Sequence, residues 1–103
     1  MRIDFKRTGG FTGMGWSSSF NLDELPEDVA DNLRTLVEQA DFSKQPDNLL
    51  GDHAIPDQFI YTITVHSEEW QHTIMTGESP ASKEIQSLVA ALNQLTRSQR
   101  LKS

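Results

Sequence analysis

No cysteine occurs anywhere in the 103 residues. That excludes a disulfide framework, a thiolate zinc site and a cysteine nucleophile together. No apolar run approaches the roughly 20 residues that span a bilayer. No apolar stretch follows Met1–Arg7, so no secretory leader is expected and the expected location is cytoplasmic. Basic stripes are missing too, because the nine cations are outnumbered by fifteen anions. Nucleic-acid binding needs clustered Lys and Arg to neutralise phosphates, and is not expected here. The length suits a single domain, read as residues 1–97 with a frayed C-terminal tail over 98–103.

The negative charge is concentrated rather than spread. Residues 1–20 carry Arg2, Lys6 and Arg7 against Asp4. Residues 21–57 hold ten acids against only Arg34 and Lys44. The remainder is balanced.

Hydrophobic periodicity predicts four strands and two helices. Ile3 and Phe5 alternate with Arg2, Asp4 and Lys6 in a first strand. Met14, Trp16 and Phe20 alternate with Ser17 and Ser19 in a second. Gly9, Gly10 and Gly13 between them permit a tight reversal, which makes the pair a hairpin. Phe59, Tyr61, Ile63 and Val65 form the inward face of a third strand, with Ile60, Thr62 and Thr64 outward. Trp70–Met75 returns as a fourth, and pairing across Ser67–Glu69 sets Trp70, His72 and Ile74 beside Val65, Ile63 and Tyr61. A helix follows Pro26, with Val29, Leu33, Leu36, Val37 and Ala40 on one face and Glu27 and Asp28 in its first turn. A second opens with Ser79 as N-cap and Pro80, and buries Ile85, Leu88, Val89, Leu92 and Leu95.

The order is ββαββα, an α+β two-layer sandwich in which a four-stranded antiparallel sheet is packed by two helices. Strand order is open. If the first helix climbs back beside the sheet, then Gly9–Gly13, the start of Ser43–Pro56 and Gly77–Ser79 share one end. That is a rim of loops on a rigid scaffold. Ser43–Asp57, with two prolines, Gly51 and several aspartates, is unusually long for an unstructured connection.

No catalytic set can be assembled, and the expectation is a protein that is not an enzyme. His66 and His72 fall on opposite faces of the third and fourth strands, so with Glu68 and Glu69 they make no metal site. Ser17–Ser19 lacks a nucleophile elbow, and Gly9–Gly13 lacks the Lys-Ser/Thr ending of a phosphate-binding loop. Phe11 stands out as an aromatic at a turn apex, where polar residues are the rule. An aromatic on a loop is the usual form of a binding anchor.

Arg7-Thr8-Gly9-Gly10-Phe11-Thr12-Gly13, then Leu25-Pro26, a helix, Pro56-Asp57-Gln58-Phe59-Ile60-Tyr61-Thr62-Ile63 and His72-Thr73-Ile74 follow one another in an order that resembles the emfourin family. The resemblance runs from Met1 to about Leu95, and the hairpin at Ser67–Glu69 departs from it in lacking a glycine. The family comprises protealysin-associated protein inhibitors of thermolysin-like (M4) metalloproteases. The resemblance implies a cofactor-free inhibitor, expected as a monomer, whose partner is a protealysin-like M4 metalloprotease blocked at its active-site cleft. Protease contact is expected from Gly9, Gly10, Phe11, Thr12 and Gly13, and from Asp52, His53 and Asp57. Such proteases favour a bulky apolar side chain just after the scissile bond, which Phe11 would supply. Zinc ligation by Asp52, His53 or Asp57 is a less favoured route. The rival function is a non-inhibitory adaptor that binds another protein.

Overall fold

The structure is a computed structural model that describes residues 1–9, 15–48, 59–77 and 83–101, and in it the side chains of Trp16 and of residues 99–101 are not described. Strands β1 (Arg2–Gly9), β2 (Trp16–Asn21), β3 (Phe59–His66) and β4 (Gln71–Thr76) form one sheet in the order β2-β1-β3-β4. Every neighbouring pair is antiparallel. Helices α1 (Glu27–Gln39) and α2 (Lys83–Leu101) complete the ββαββα order and contact each other. The expected α+β sandwich is therefore present, with β1 and β3 as the central strands.

Alternation decides which face is buried. Ile3, Phe5, Phe20, Ile63, Val65 and Ile74 are at most 1% exposed. They meet Leu33 and Val37 of α1 and Ile85, Leu88 and Leu92 of α2 in one core. Full burial of each such side chain contributes about 1.5–3 kcal/mol. The opposite face carries Asp4, Lys6, Ser19, Thr62 and Thr64, and is open to solvent to varying degrees. Pro26 immediately precedes α1, and Glu27 and Asp28 occupy its first turn. Ser79 and Pro80, expected to open the second helix, lie outside the described residues. α2 is continuous through Leu101.

Two expectations need correction. The β3–β4 hairpin is shifted by two residues: His72 pairs with Val65, Ile74 with Ile63 and Thr76 with Tyr61. Ser67 N–H donates to Trp70 O at 2.8 Å, so only Glu68 and Glu69 form the loop. The shift is even, which keeps every side chain on its expected face.

The second correction concerns the course of α1. Its C-terminal end does not arrive at the rim. Val37, Asp41 and Phe42 share a surface cleft with Met1, Ser67 and Trp70, at the opposite end of the sheet. Phe42 begins a single 3₁₀ turn (Phe42–Lys44) and is 1% exposed. Its ring lies 6.3 Å from that of Trp70. Burying this aromatic at the start of β4 holds the helix end there. From that point the chain climbs along the edge of β4, where Met75 N–H donates to Asp47 O at 2.8 Å and Asn48 forms a parallel bridge with Met75.

Candidate functional site

Strand register fixes which chain ends lie together. Gly9 pairs with Phe59, Arg7 with both Trp16 and Tyr61, and Tyr61 with Thr76. Gly15 precedes Trp16, Gly77 follows Thr76, and Asn48 lies beside Met75. Gly9, Gly15, Asn48, Phe59 and Gly77 thus flank one end of the sheet. The climbing segment after Phe42 restores Asn48 to this rim by a path that the helix alone does not provide.

The support beneath the rim is aromatic. Phe5 and Tyr61 stack with ring centroids 5.5 Å apart and planes 3° from parallel. The Arg7 guanidinium sits 4.4 Å above the centre of the Phe59 ring, a cation–π contact that joins β1 to β3 at the last described pairs. Gly9 adopts φ 98°, a conformation that side-chain-bearing residues rarely take. Thr76 is fully buried, and its hydroxyl has no hydrogen-bond partner among the described residues.

Of the residues expected to contact a protease, Gly9 is therefore placed at the rim as the last residue of β1. Gly10, Phe11, Thr12, Gly13, Asp52, His53 and Asp57 lie outside the described residues. Sequence reasoning overlooked the segment Phe42–Asn48, which ties α1 to β4. The isolated Phe42, beyond the last helical position and flanked by polar residues, was the available signal.

The two described histidines, His66 and His72, occupy opposite faces. On the open face, His66 Nε2 lies 2.9 Å from Asp4 Oδ2, and Ser19 Oγ donates to Asp4 Oδ1 at 2.7 Å. Arg2 Nη2 lies 3.4 Å from the same carboxylate. Burial pushes the Asp4 carboxyl up, but the bonds from Ser19 and His66 and the charge of Arg2 outweigh it and hold the group below its ordinary value. Ser19 directs its proton at the carboxylate, not at the imidazole, so Ser19, His66 and Asp4 do not form a nucleophile–base relay. On the packed face, His72 Nε2 lies 2.6 Å from the Gln45 carbonyl oxygen. Among the described residues, no three His, Cys, Asp or Glu side chains group as metal ligands. No described helix is long and apolar enough to cross a membrane.

The antiparallel α+β sandwich gathers its connecting ends on one rim, an arrangement in which a scaffold presents its loops together. The Emfourin family profile matches residues 5–93, and the chain belongs to the Emfourin family. Comparison with curated proteins and with solved structures yields no match. Family membership indicates a protease-inhibitor role.

Proposed function

We propose that the chain is a proteinaceous inhibitor of thermolysin-like (M4, protealysin-type) zinc metalloproteases, and that it blocks the active-site cleft with the rim end of its sheet. The observation that carries this reading is the Emfourin match over residues 5–93, supported by the convergence of Gly9, Gly15, Asn48, Phe59 and Gly77 at one end of a sheet. Phe11, two residues beyond Gly9, fills the pocket that accepts the side chain after the scissile bond. Gly10 and Gly13 let the backbone approach the cleft closely, while Thr12, Asp52, His53 and Asp57 complete the contact. The acidic balance of the chain complements a basic or metal-bearing cleft and speeds encounter more than it tightens binding. The inhibitor acts as a cytoplasmic monomer and needs no cofactor.

Hydrolysis of a fluorogenic peptide by a protealysin-like enzyme tests the assignment when two variants are compared with the wild type. Phe11→Ala removes the proposed anchor, and Glu68→Ala changes a side chain at the far end of the sheet. Truncating a buried aromatic anchor costs about 2 kcal/mol or more, so Phe11→Ala should raise the inhibition constant some tens-fold. Glu68→Ala should leave it unchanged. Equal inhibition by both variants would remove Phe11 from the mechanism, and absence of inhibition by the wild type would remove the function itself.

A further inference from the structure

The chain between α1 and the rim is secured by a relay of contacts that converge on one side chain. Asp41 closes α1 in the left-handed region, with φ 48°. Gln45 Nε2 then donates to the Ala40 carbonyl oxygen at 2.7 Å, satisfying an acceptor at the helix end. The backbone carbonyl of the same Gln45 faces His72 Nε2 at 2.6 Å. Phe42 meets the His72 imidazole edge-on, with ring centroids 6.0 Å apart. Farther along β4, Met75 N–H donates to Asp47 O, and Asn48 bridges Met75.

His72 occupies an inward position of β4, between the apolar contacts of Trp70 and Ile74. Leucine would fill such a position against Phe42. What leucine would not supply is a donor for Gln45. A carbonyl oxygen only accepts, so the Nε2 atom of His72 carries a hydrogen whether the ring is neutral or charged. Asp47 Oδ1, 3.6 Å from Nε2 and highly exposed, adds only a weak attraction when the ring is charged.

We infer that His72 is a positioning residue for the inhibitory rim. Its Nε2–H bond to Gln45 O sets the line along which Phe42–Asn48 climbs β4, and so the point at which the chain reaches the rim. This inference rests on the rim reading under the proposed function. It assigns a role in inhibition to a side chain that itself lies toward the far end of the sheet.

The test compares His72→Gln with His72→Asn in the full chain. The glutamine amide nitrogen reaches about as far as Nε2, whereas the asparagine amide stops one bond short. Three readouts are taken: hydrogen exchange at the Met75 amide, inhibition of a thermolysin-like protease, and the thermal midpoint. With the bond lost, His72→Asn should exchange the Met75 amide and weaken inhibition by about tenfold or more while remaining folded at the assay temperature. His72→Gln should restore both to within about threefold of the wild type. An asparagine variant that inhibits like the wild type would overturn the positioning role, as would a folded glutamine variant no better than asparagine. If the wild-type chain inhibits nothing, the rim reading falls with the role in inhibition, and unchanged Met75 exchange in His72→Asn would dismiss the link to Gln45 as well.

Discussion

Gly15 packs so tightly against Arg7 that a Cβ built on it would stand 2.6 Å from the Arg7 carbonyl oxygen. Thr8 Cγ2 would lie 3.1 Å away. The nearer obstacle is a backbone atom of a central strand, which cannot swing aside. Gly15→Ala should therefore force the base of the β1–β2 hairpin apart and cost about 1–3 kcal/mol. Urea unfolding would show a lower midpoint with an unchanged slope. An unchanged midpoint would mean that the hairpin has room to relax.

Thr76 offers a change in the other direction. Its hydroxyl is buried without a hydrogen-bond partner among the described residues. Valine has nearly the same shape and no polar atom to desolvate, so Thr76→Val should stabilise by about 1 kcal/mol. In a domain of this size, that raises the thermal midpoint by about 5 °C. A lowered midpoint would show that the hydroxyl is satisfied after all.

Asp41 ends α1 with a positive φ, a conformation that costs most residues about 1–2 kcal/mol and aspartate rather less. Asp41→Gly removes that cost but gains freedom in the unfolded chain. The net expectation is a stabilisation of about 0.5 kcal/mol, measurable by chemical denaturation. A loss of stability would assign the Asp41 side chain a contact that outweighs its backbone strain.

Asp4 makes stability depend on acidity. Its folded-state pKa is lowered, because Ser19, His66 and Arg2 together outweigh the opposing effect of burial. Its contribution is therefore complete above the ordinary carboxylate range near pH 4 and is lost as pH falls through the lower folded-state value. The side chain is 35% exposed, so the amount is small, roughly 0.5 kcal/mol. Asp4→Asn should be less stable than the wild type at pH 7, with the difference shrinking below about pH 4. A difference constant across that range would contradict the proposed origin of the shift.

The sheet and both helices were legible because their signal is periodic. Ile3 and Phe5, Tyr61 through Val65, and the Ile85–Leu92 stripe announce their faces locally, and those faces are buried as expected. Hairpin register was less legible. Ser67-Glu68-Glu69-Trp70 lacks the glycine that marks a two-residue loop, and the tight Ser67–Trp70 closure was missed for that reason. The course of α1 was least legible: an isolated Phe42 hints at an anchor beyond the helix, but that it finds Trp70 and His72, far away in sequence, is not written in any local pattern. Of the candidate site, Gly9 could be placed through its pairing with Phe59. Gly10, Phe11, Thr12, Gly13, Asp52, His53 and Asp57 lie outside the described residues; the glycine loop and Asp57 were assigned from the motif, and Asp52 and His53 from their place in the long connection before it.

The central claim is that this chain occupies the active-site cleft of a thermolysin-like metalloprotease. Its most direct test is an active-site titration of such an enzyme, with residual hydrolysis of a small fluorogenic peptide read after preincubation with increasing amounts of the chain. The account predicts a linear fall in activity that reaches zero at one equivalent. Full activity at large molar excess, against both thermolysin and a protealysin-like enzyme, would contradict it.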